Sequence, residues 1–70
     1  MTCQYVISSN LLQVCYDPPS ASLDITFRSG GVYRYSKVPT HVHAGLMSAS
    51  SHGDYFHQHI KDKYPCRRIR

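Results

Sequence analysis

Three segments of the chain alternate between apolar and polar residues, which is the pattern of strands with one buried face. The first segment runs from Leu11 to Asp17 and ends at two prolines, Pro18 and Pro19, because proline cannot donate to a strand ladder. The second runs from residue 23 to 28 and the third from residue 32 to 38. Short connections favour antiparallel pairing, so the pattern predicts a three-stranded antiparallel meander.

The alternation assigns one face of this sheet to the core. The residues predicted to point inward from the first two strands are Leu12, Val14, Tyr16, Leu23, Ile25 and Phe27. In the turn that follows, a two-residue loop would bring Arg34 onto the apolar face. A three-residue loop over 29–31 pairs Arg34 with Thr26 and keeps the arginine on the polar face. We therefore predict a three-residue loop, with Gly31 in the left-handed conformation that such loops commonly require.

Helical spacing begins after Pro39. Thr40 is the predicted N-cap, and Val42, Leu46 and Ala49 form a short apolar stripe at the spacing of one helix face.

A second short helix is predicted to begin at Ser51. Ser51-x-x-Asp54 resembles a capping box, with Asp in place of the usual Glu or Gln. Phe56 and Ile60 are its predicted inward residues, and it ends before Pro65. The fold class predicted from the whole pattern is α+β: a three-stranded antiparallel meander followed by two short helices packed on one face.

Composition limits the chain to one small domain, because 70 residues with 41% apolar content can bury only a modest core. Charge is distributed unevenly. Residues 1–60 carry no net charge, so the net charge of +4 comes from the last ten residues, which contain five cations and one anion, Asp62. We therefore divide the chain into a domain over 1–64 and a basic tail over 65–70. The tail is either a solvated terminus or an electrostatic anchor for an acidic partner, nucleic acid or protein.

Catalytic and metal-binding patterns are weak. His41-x-His43 and His57-x-His59 place each pair on opposite sides of a helix, where the two rings cannot share an ion. Glutamate is absent and no phosphate-binding glycine loop occurs. We predict a non-enzymatic protein with no metal and no cofactor.

The same features indicate a cytoplasmic protein. Three cysteines are an odd number, which favours reduced thiols over a disulfide framework. No run of apolar residues approaches the length of a membrane span.

Tyr33-Arg34-Tyr35 is the most informative local motif. Aromatic residues around an arginine on a strand occur in platforms that stack single-stranded RNA bases. The predicted register instead places both tyrosines beneath the helices, with Ile25 and Phe27, and leaves Arg34 outside. Packing is favoured, and stacking stays open as the alternative.

Most of the chain resembles the KTSC domain. The matching residues are Val6-Ile7-Ser8-Ser9, Val14-x-Tyr16-Asp17, Leu23-x-Ile25-x-Phe27-x-x-Gly30, Tyr33-x-Tyr35-x-x-Val38-Pro39, Ala49-x-Ser51-x-Gly53-x-Tyr55-Phe56, Ile60 and Tyr64. The family is named for the C-terminus of some lysyl-tRNA synthetases and also occurs as small stand-alone proteins. The resemblance implies a non-enzymatic module for which RNA binding is an expected activity.

Within that family, a small chain with a basic tail is similar to phage-encoded transcription regulators. This resemblance implies a monomer that binds bacterial RNA polymerase through its β′ subunit in the host cytoplasm. It also implies inhibition of σ-dependent initiation, with antitermination. The alternative is an RNA- or tRNA-binding module.

Both functions use the same predicted binding residues. They are Ser8, Ser9, Arg34, Lys61, Lys63, Arg67, Arg68 and Arg70. For Ser8 and Ser9, and for Ser51, satisfaction of backbone groups at turns is the competing interpretation.

Overall fold

A computed structural model describes all 70 residues. The elements in chain order are β1 (Thr2–Tyr5), β2 (Leu11–Asp17), β3 (Ser22–Phe27), β4 (Val32–Tyr35), α1 (Thr40–Ser48), α2 (His52–His59) and β5 (Cys66–Arg68). The strands form one five-stranded sheet in the order β1-β2-β3-β4-β5, and each neighbouring pair is antiparallel. The predicted α+β class is confirmed, but the predicted number of three strands is wrong.

The two additional strands lie at the two edges of the sheet. All residues of β1 are exposed, so no buried face marks it in the sequence. β5 has only three residues and lies in the segment predicted to be a basic tail, yet it pairs with β4 through Tyr33↔Arg68 and Tyr35↔Cys66. Two of the five cations of the last ten residues, Arg67 and Arg68, are therefore ordered along a sheet edge.

The loop between β3 and β4 has the predicted length but begins one residue earlier. It spans residues 28–30, and Gly30, not Gly31, has the positive φ of 109°. Arg34 consequently lies opposite Asp24 instead of Thr26. Each residue of β4 therefore pairs with a β3 residue two positions away from the predicted one. A shift of two residues leaves every side chain on its predicted face, and it gives Arg34 a carboxylate partner.

Both helices cover the same face of the sheet. The core is a cluster of twelve buried residues, which are Val6, Leu11, Val14, Tyr16, Leu23, Ile25, Tyr35, Val38, Val42, Leu46, Phe56 and Ile60. Leu11 is fully buried in place of Leu12, which was expected inside, because the register shifts between Leu11 and Gln13. A β-bulge of this kind rotates the residues before it relative to the rest of the strand.

The helix boundaries agree closely with the sequence pattern. Ser51 is the N-cap of α2, and its hydroxyl accepts the N–H of Asp54 at 3.2 Å. The N-cap of α1 is Pro39 instead of Thr40, which is the first residue of that helix. Neither helix is long and apolar enough to cross a membrane.

A disulfide joins β1 to β2. Cys3 lies directly opposite Cys15 in the ladder, and their sulfur atoms are bonded. The expectation of three reduced thiols is therefore wrong, because an odd total still permits one bridge when strand pairing brings two cysteines together. Cys66 remains free and exposed.

Candidate functional site

A groove opens on the helix-covered side of the sheet, where β4 and β5 meet the end of α2. Its volume is about 380 Å³. The residues that line it are Phe27, Ser29, Tyr33, Tyr35, Phe56, His57, Lys61, Asp62, Tyr64 and Cys66. We refer to it as the aromatic groove.

Interlocked aromatic rings form the walls of this groove. Phe27 meets Tyr33 edge to face, with ring centroids 5.6 Å apart, and meets Phe56 in the same manner at 5.4 Å. Tyr35 also packs edge-on against Phe56 at 5.6 Å. Tyr33 and Tyr64 are only partly buried and pack against the edge of the core. Their rings are therefore held in place by packing while part of each surface faces solvent.

One predicted binding residue, Lys61, lines this groove, and a second, Arg68, lies beside it against the ring of Tyr33. The guanidinium carbon of Arg68 is 5.8 Å from the centroid of the Tyr33 ring, which is within range of a cation–π contact. Arg68 Nε also donates to the carbonyl of Arg70 at 2.8 Å. Lys61 belongs to the groove lining and is exposed. Positive charge thus flanks the aromatic walls from β5 and from the end of α2.

Tyr35, Asp62 and Cys66 contribute polar atoms to the lining. Burial, followed by a hydrogen bond with Cys66, raises the pKa of Tyr35 well above its ordinary value. The phenol is therefore neutral across the physiological range. Asp62 has a φ of 62°, in the left-handed region that aspartate tolerates better than most residues.

Arg34 lies on the other face of the sheet, away from the groove. Its Nε and one terminal nitrogen donate to the two carboxylate oxygens of Asp24 at 2.8 and 2.9 Å. The hydrogen bonds and the negative charge of Asp24 raise the pKa of Arg34. Arg67 is exposed and lies opposite Arg34 in the ladder. These two predicted binding residues therefore share a different surface from Lys61 and Arg68.

Neither Ser8 nor Ser9 belongs to the lining of the aromatic groove. The Ser8 hydroxyl accepts the N–H groups of Asn10 and Leu11, both at 3.3 Å, and its carbonyl accepts Arg28 Nε at 2.6 Å. The side chain of Ser8 therefore serves the turn before β2, which was the competing interpretation. Ser9 is exposed and lines a second depression of about 310 Å³.

Lys63 and Arg70 are exposed and line neither depression. The structure also brings in residues that sequence reasoning did not select, chiefly Phe27, His57 and Tyr64. Their signal in the sequence is weak, because these aromatic and polar residues come from β3, α2 and the segment before β5. Only the fold brings them together.

The histidine pairs do not form a metal site. No group of three or more His, Cys, Asp or Glu residues is arranged to hold an ion. His43 instead stacks on Tyr16, with ring centroids 4.5 Å apart and planes 12° apart, and His52 Nδ1 contacts the carbonyl of Leu46 at 2.8 Å.

Comparison with known proteins agrees with the architecture described above. The sequence pattern of the KTSC domain matches residues 7–64. The chain belongs to the KTSC domain family. The crystal structure of a KTSC domain protein from Yersinia pestis superimposes with a TM-score of 0.95 at 43% identity, and covers 99% of this chain and 97% of that one.

Two kinds of relative are similar in sequence to most of this chain. An uncharacterised protein of Stutzerimonas stutzeri is 40% identical over 57 residues, which is 81% of this chain and 80% of that protein. Lysine–tRNA ligases of Nostoc sp. and Trichormus variabilis are 43% and 45% identical over 54 residues, or 77% of this chain. This chain spans only 10% of the length of those two ligases. The similarity therefore concerns one segment of a much longer enzyme.

Proposed function

We propose that this KTSC domain is a non-catalytic RNA-binding module whose aromatic groove takes an unpaired base. The observation that carries the proposal is the pair of partly exposed tyrosines, Tyr33 and Tyr64, between the cations Arg68 and Lys61. Single-stranded nucleic acids are bound by this combination, with rings that stack on bases and cations that contact phosphates.

The size and rigidity of the groove favour one base over a longer stack. Its volume of about 380 Å³ is at the small end of ligand pockets. The edge-to-face contacts of Phe27 with Tyr33 and Phe56 fix the walls before the ligand arrives, so little conformational entropy is lost on binding. Stacking of one base on an aromatic side chain contributes about 1–3 kcal/mol.

The relatives add independent support for RNA as the partner. Lysine–tRNA ligases act on tRNA, as their name states, and they contain a segment about 43–45% identical to this chain. A module that binds unpaired nucleotides has an evident use beside an enzyme whose substrate is an RNA.

The role proposed for the groove is binding without chemistry. His57 and Cys66 both belong to its lining, but no hydrogen bond joins them. A cysteine nucleophile normally requires such a bond to an adjacent base.

Tyr64 offers the cleanest test of stacking. Binding of a labelled single-stranded octanucleotide, measured by fluorescence anisotropy, is expected to weaken as salt is added. A plot of log affinity against log salt concentration should fall with a slope no steeper than about −3.5, because residues 61–70 offer five cations. Tyr64→Phe keeps the ring and should retain affinity. Tyr64→Ala should weaken binding by about ten-fold or more, which corresponds to the loss of one stacked base.

Tyr5→Ala is the matched control, because Tyr5 is 77% exposed on β1, at the opposite edge of the sheet, and should leave affinity unchanged. Absence of binding by the unaltered protein at low salt contradicts the proposal. Equal affinities of the Tyr64→Ala and Tyr5→Ala variants, both folded, contradict the groove as the site.

Binding to bacterial RNA polymerase is the second candidate. Its support is the row of cations at residues 61–70, which would steer the protein toward an acidic patch, and the relatives described above add none. In this proposal the protein contacts the β′ subunit and inhibits σ-dependent initiation, with antitermination. Retention of purified core enzyme or holoenzyme on the immobilised protein at physiological salt is the expected result. No retention of either form would exclude the polymerase as a partner.

A further inference from the structure

The two consecutive arginines of β5 serve opposite faces of the sheet. Neighbouring residues of a strand point to opposite sides. Arg68 contacts the ring of Tyr33 at the aromatic groove, while Arg67 lies opposite Arg34 on the face that no helix covers. Positive charge therefore continues from the groove, over the edge of the sheet, to its other side.

Arg67 has no counter-ion within the protein. Both carboxylate oxygens of Asp24 accept hydrogen bonds from Arg34, and Arg67 takes part in none of the ion pairs of the molecule. Its guanidinium is exposed beside a second cation. Such a position attracts an external anion, and the guanidinium fork matches the geometry of phosphate.

The outer edge of β5 adds hydrogen-bond donors beside these two arginines. Ser36 donates to the carbonyl of Pro65 at 2.9 Å, and Ile69 donates to the carbonyl of Val32 at 2.8 Å. Because hydrogen-bonding residues alternate along an antiparallel ladder, the amides of Cys66 and Arg68 face away from β4. Unpaired edge amides of this kind are available to an incoming ligand.

We infer that an RNA strand whose base occupies the aromatic groove leaves it across the edge of β5, and that Arg67 binds a phosphate further along the strand. This inference rests on the proposed function and extends it, because it gives the path that the RNA strand takes beyond the groove. Arg68 contacts every ligand that enters the groove. Arg67 contacts only ligands long enough to cross the edge.

The roles of Arg67 and Arg68 can be distinguished by comparing ligands of different length. Affinities of the full chain for a labelled adenosine dinucleotide and octanucleotide are measured against salt concentration. Arg67→Gln should weaken octanucleotide binding by about two- to five-fold, the range of an exposed charge contact, and reduce its salt slope by about 0.7. It should leave dinucleotide binding unchanged. Arg68→Gln should weaken the binding of both.

Lys37→Gln is the matched charge control, because Lys37 is exposed and lies outside both β5 and the groove lining. If Arg67→Gln lowers the affinity for the octanucleotide no more than Lys37→Gln does, the path across β5 is overturned. An equal effect on both lengths also overturns it, because the arginine would then act through the general field. In both cases RNA binding itself persists. Absence of binding by the unaltered protein overturns the proposed function instead.

Discussion

The hydroxyl of Tyr55 on α2 lies against Gly45 on α1. A Cβ atom added at Gly45 would overlap this hydroxyl and would lie 2.7 Å from the Tyr55 Cζ atom, which is closer than real Cβ contacts. The absence of a side chain at Gly45 therefore sets how closely the two helices approach. It also positions α2, which carries the groove residue His57 and is followed by the groove residue Lys61.

Gly45→Ala is expected to lower the free energy of unfolding by about 1–3 kcal/mol, the usual cost of overpacking. Chemical denaturation measures the effect. Gly53→Ala is the control, because an added Cβ there meets its nearest neighbour, Asn10, at an ordinary 3.5 Å. That variant should be neutral or gain up to about 1 kcal/mol from helix propensity. Equal destabilisation by both substitutions would show that the Tyr55 side chain can move away from an added Cβ at Gly45, and would contradict the expectation.

The buried hydroxyl of Tyr16 donates to the carbonyl of Val38 at 2.6 Å. Tyr16→Phe keeps the ring in the core but leaves that carbonyl without its donor. We expect a loss of about 1–3 kcal/mol in the free energy of unfolding, measured by urea denaturation. Tyr5→Phe removes a hydroxyl from a residue that is 77% exposed and should change stability by less than about 0.5 kcal/mol. A comparable small change in Tyr16→Phe would contradict the importance of this hydrogen bond.

Loss of the disulfide should lower the stability of the protein, but the sheet should remain folded. Cys3 and Cys15 are 12 residues apart in sequence, and closing a loop of this size contributes about 3 kcal/mol. Cys3→Ser and treatment with reductant should therefore lower the free energy of unfolding to a similar extent. Cys66→Ser, at the free and exposed cysteine, should leave the free energy of unfolding unchanged under oxidising conditions. Insensitivity of the unaltered protein to reductant would contradict the expectation.

His43 should make stability depend on pH. Burial lowers the pKa of His43 from its ordinary 6.5. As pH falls, the unfolded chain therefore takes up a proton at this site before the folded protein does, and the free energy of unfolding decreases. The contribution is fully present above pH 6.5 and is lost as pH falls below it.

Denaturation of His43→Gln measures this contribution. Its free energy of unfolding should vary less than that of the unaltered protein between about pH 5 and 7. His41→Gln, at an exposed position on the same helix, should retain the original dependence. The same pH dependence in both variants would assign the effect to other groups.

The sequence predicted those parts of the fold in which one face of an element is buried. Val42 and Leu46 of α1, and Phe56 of α2, lie in the core as their spacing indicates. β1 gave no such signal, because every one of its residues is exposed. The predicted position of the β3–β4 loop was wrong, because the predicted and observed registers place every side chain on the same face of the sheet. The two registers differ only in which residues pair, and the observed one pairs Asp24 with Arg34.

The aromatic groove was harder to predict for a different reason. Phe27 was predicted to lie in the core, packing was favoured over stacking for Tyr33, and Tyr64 was given no place in a site. Their shared solvent-facing edge exists only because β5 returns to pair with β4, and a three-residue strand rich in arginine carries no hydrophobic alternation. The charge of this segment was evident in the sequence, but its place in the sheet was not.

The strand order has a consequence for the kinetics of folding. β1 to β4 each pair with the next strand along the chain, and local hairpins of this kind form early. β5 joins the sheet only after both helices, so its contact with β4 closes the longest loop and is expected to form last. The groove takes its walls from β3, β4, α2 and β5, so a refolding chain should acquire most of its sheet before it acquires any affinity for a ligand. Partly folded chains would then be unable to compete with the native protein for its partner.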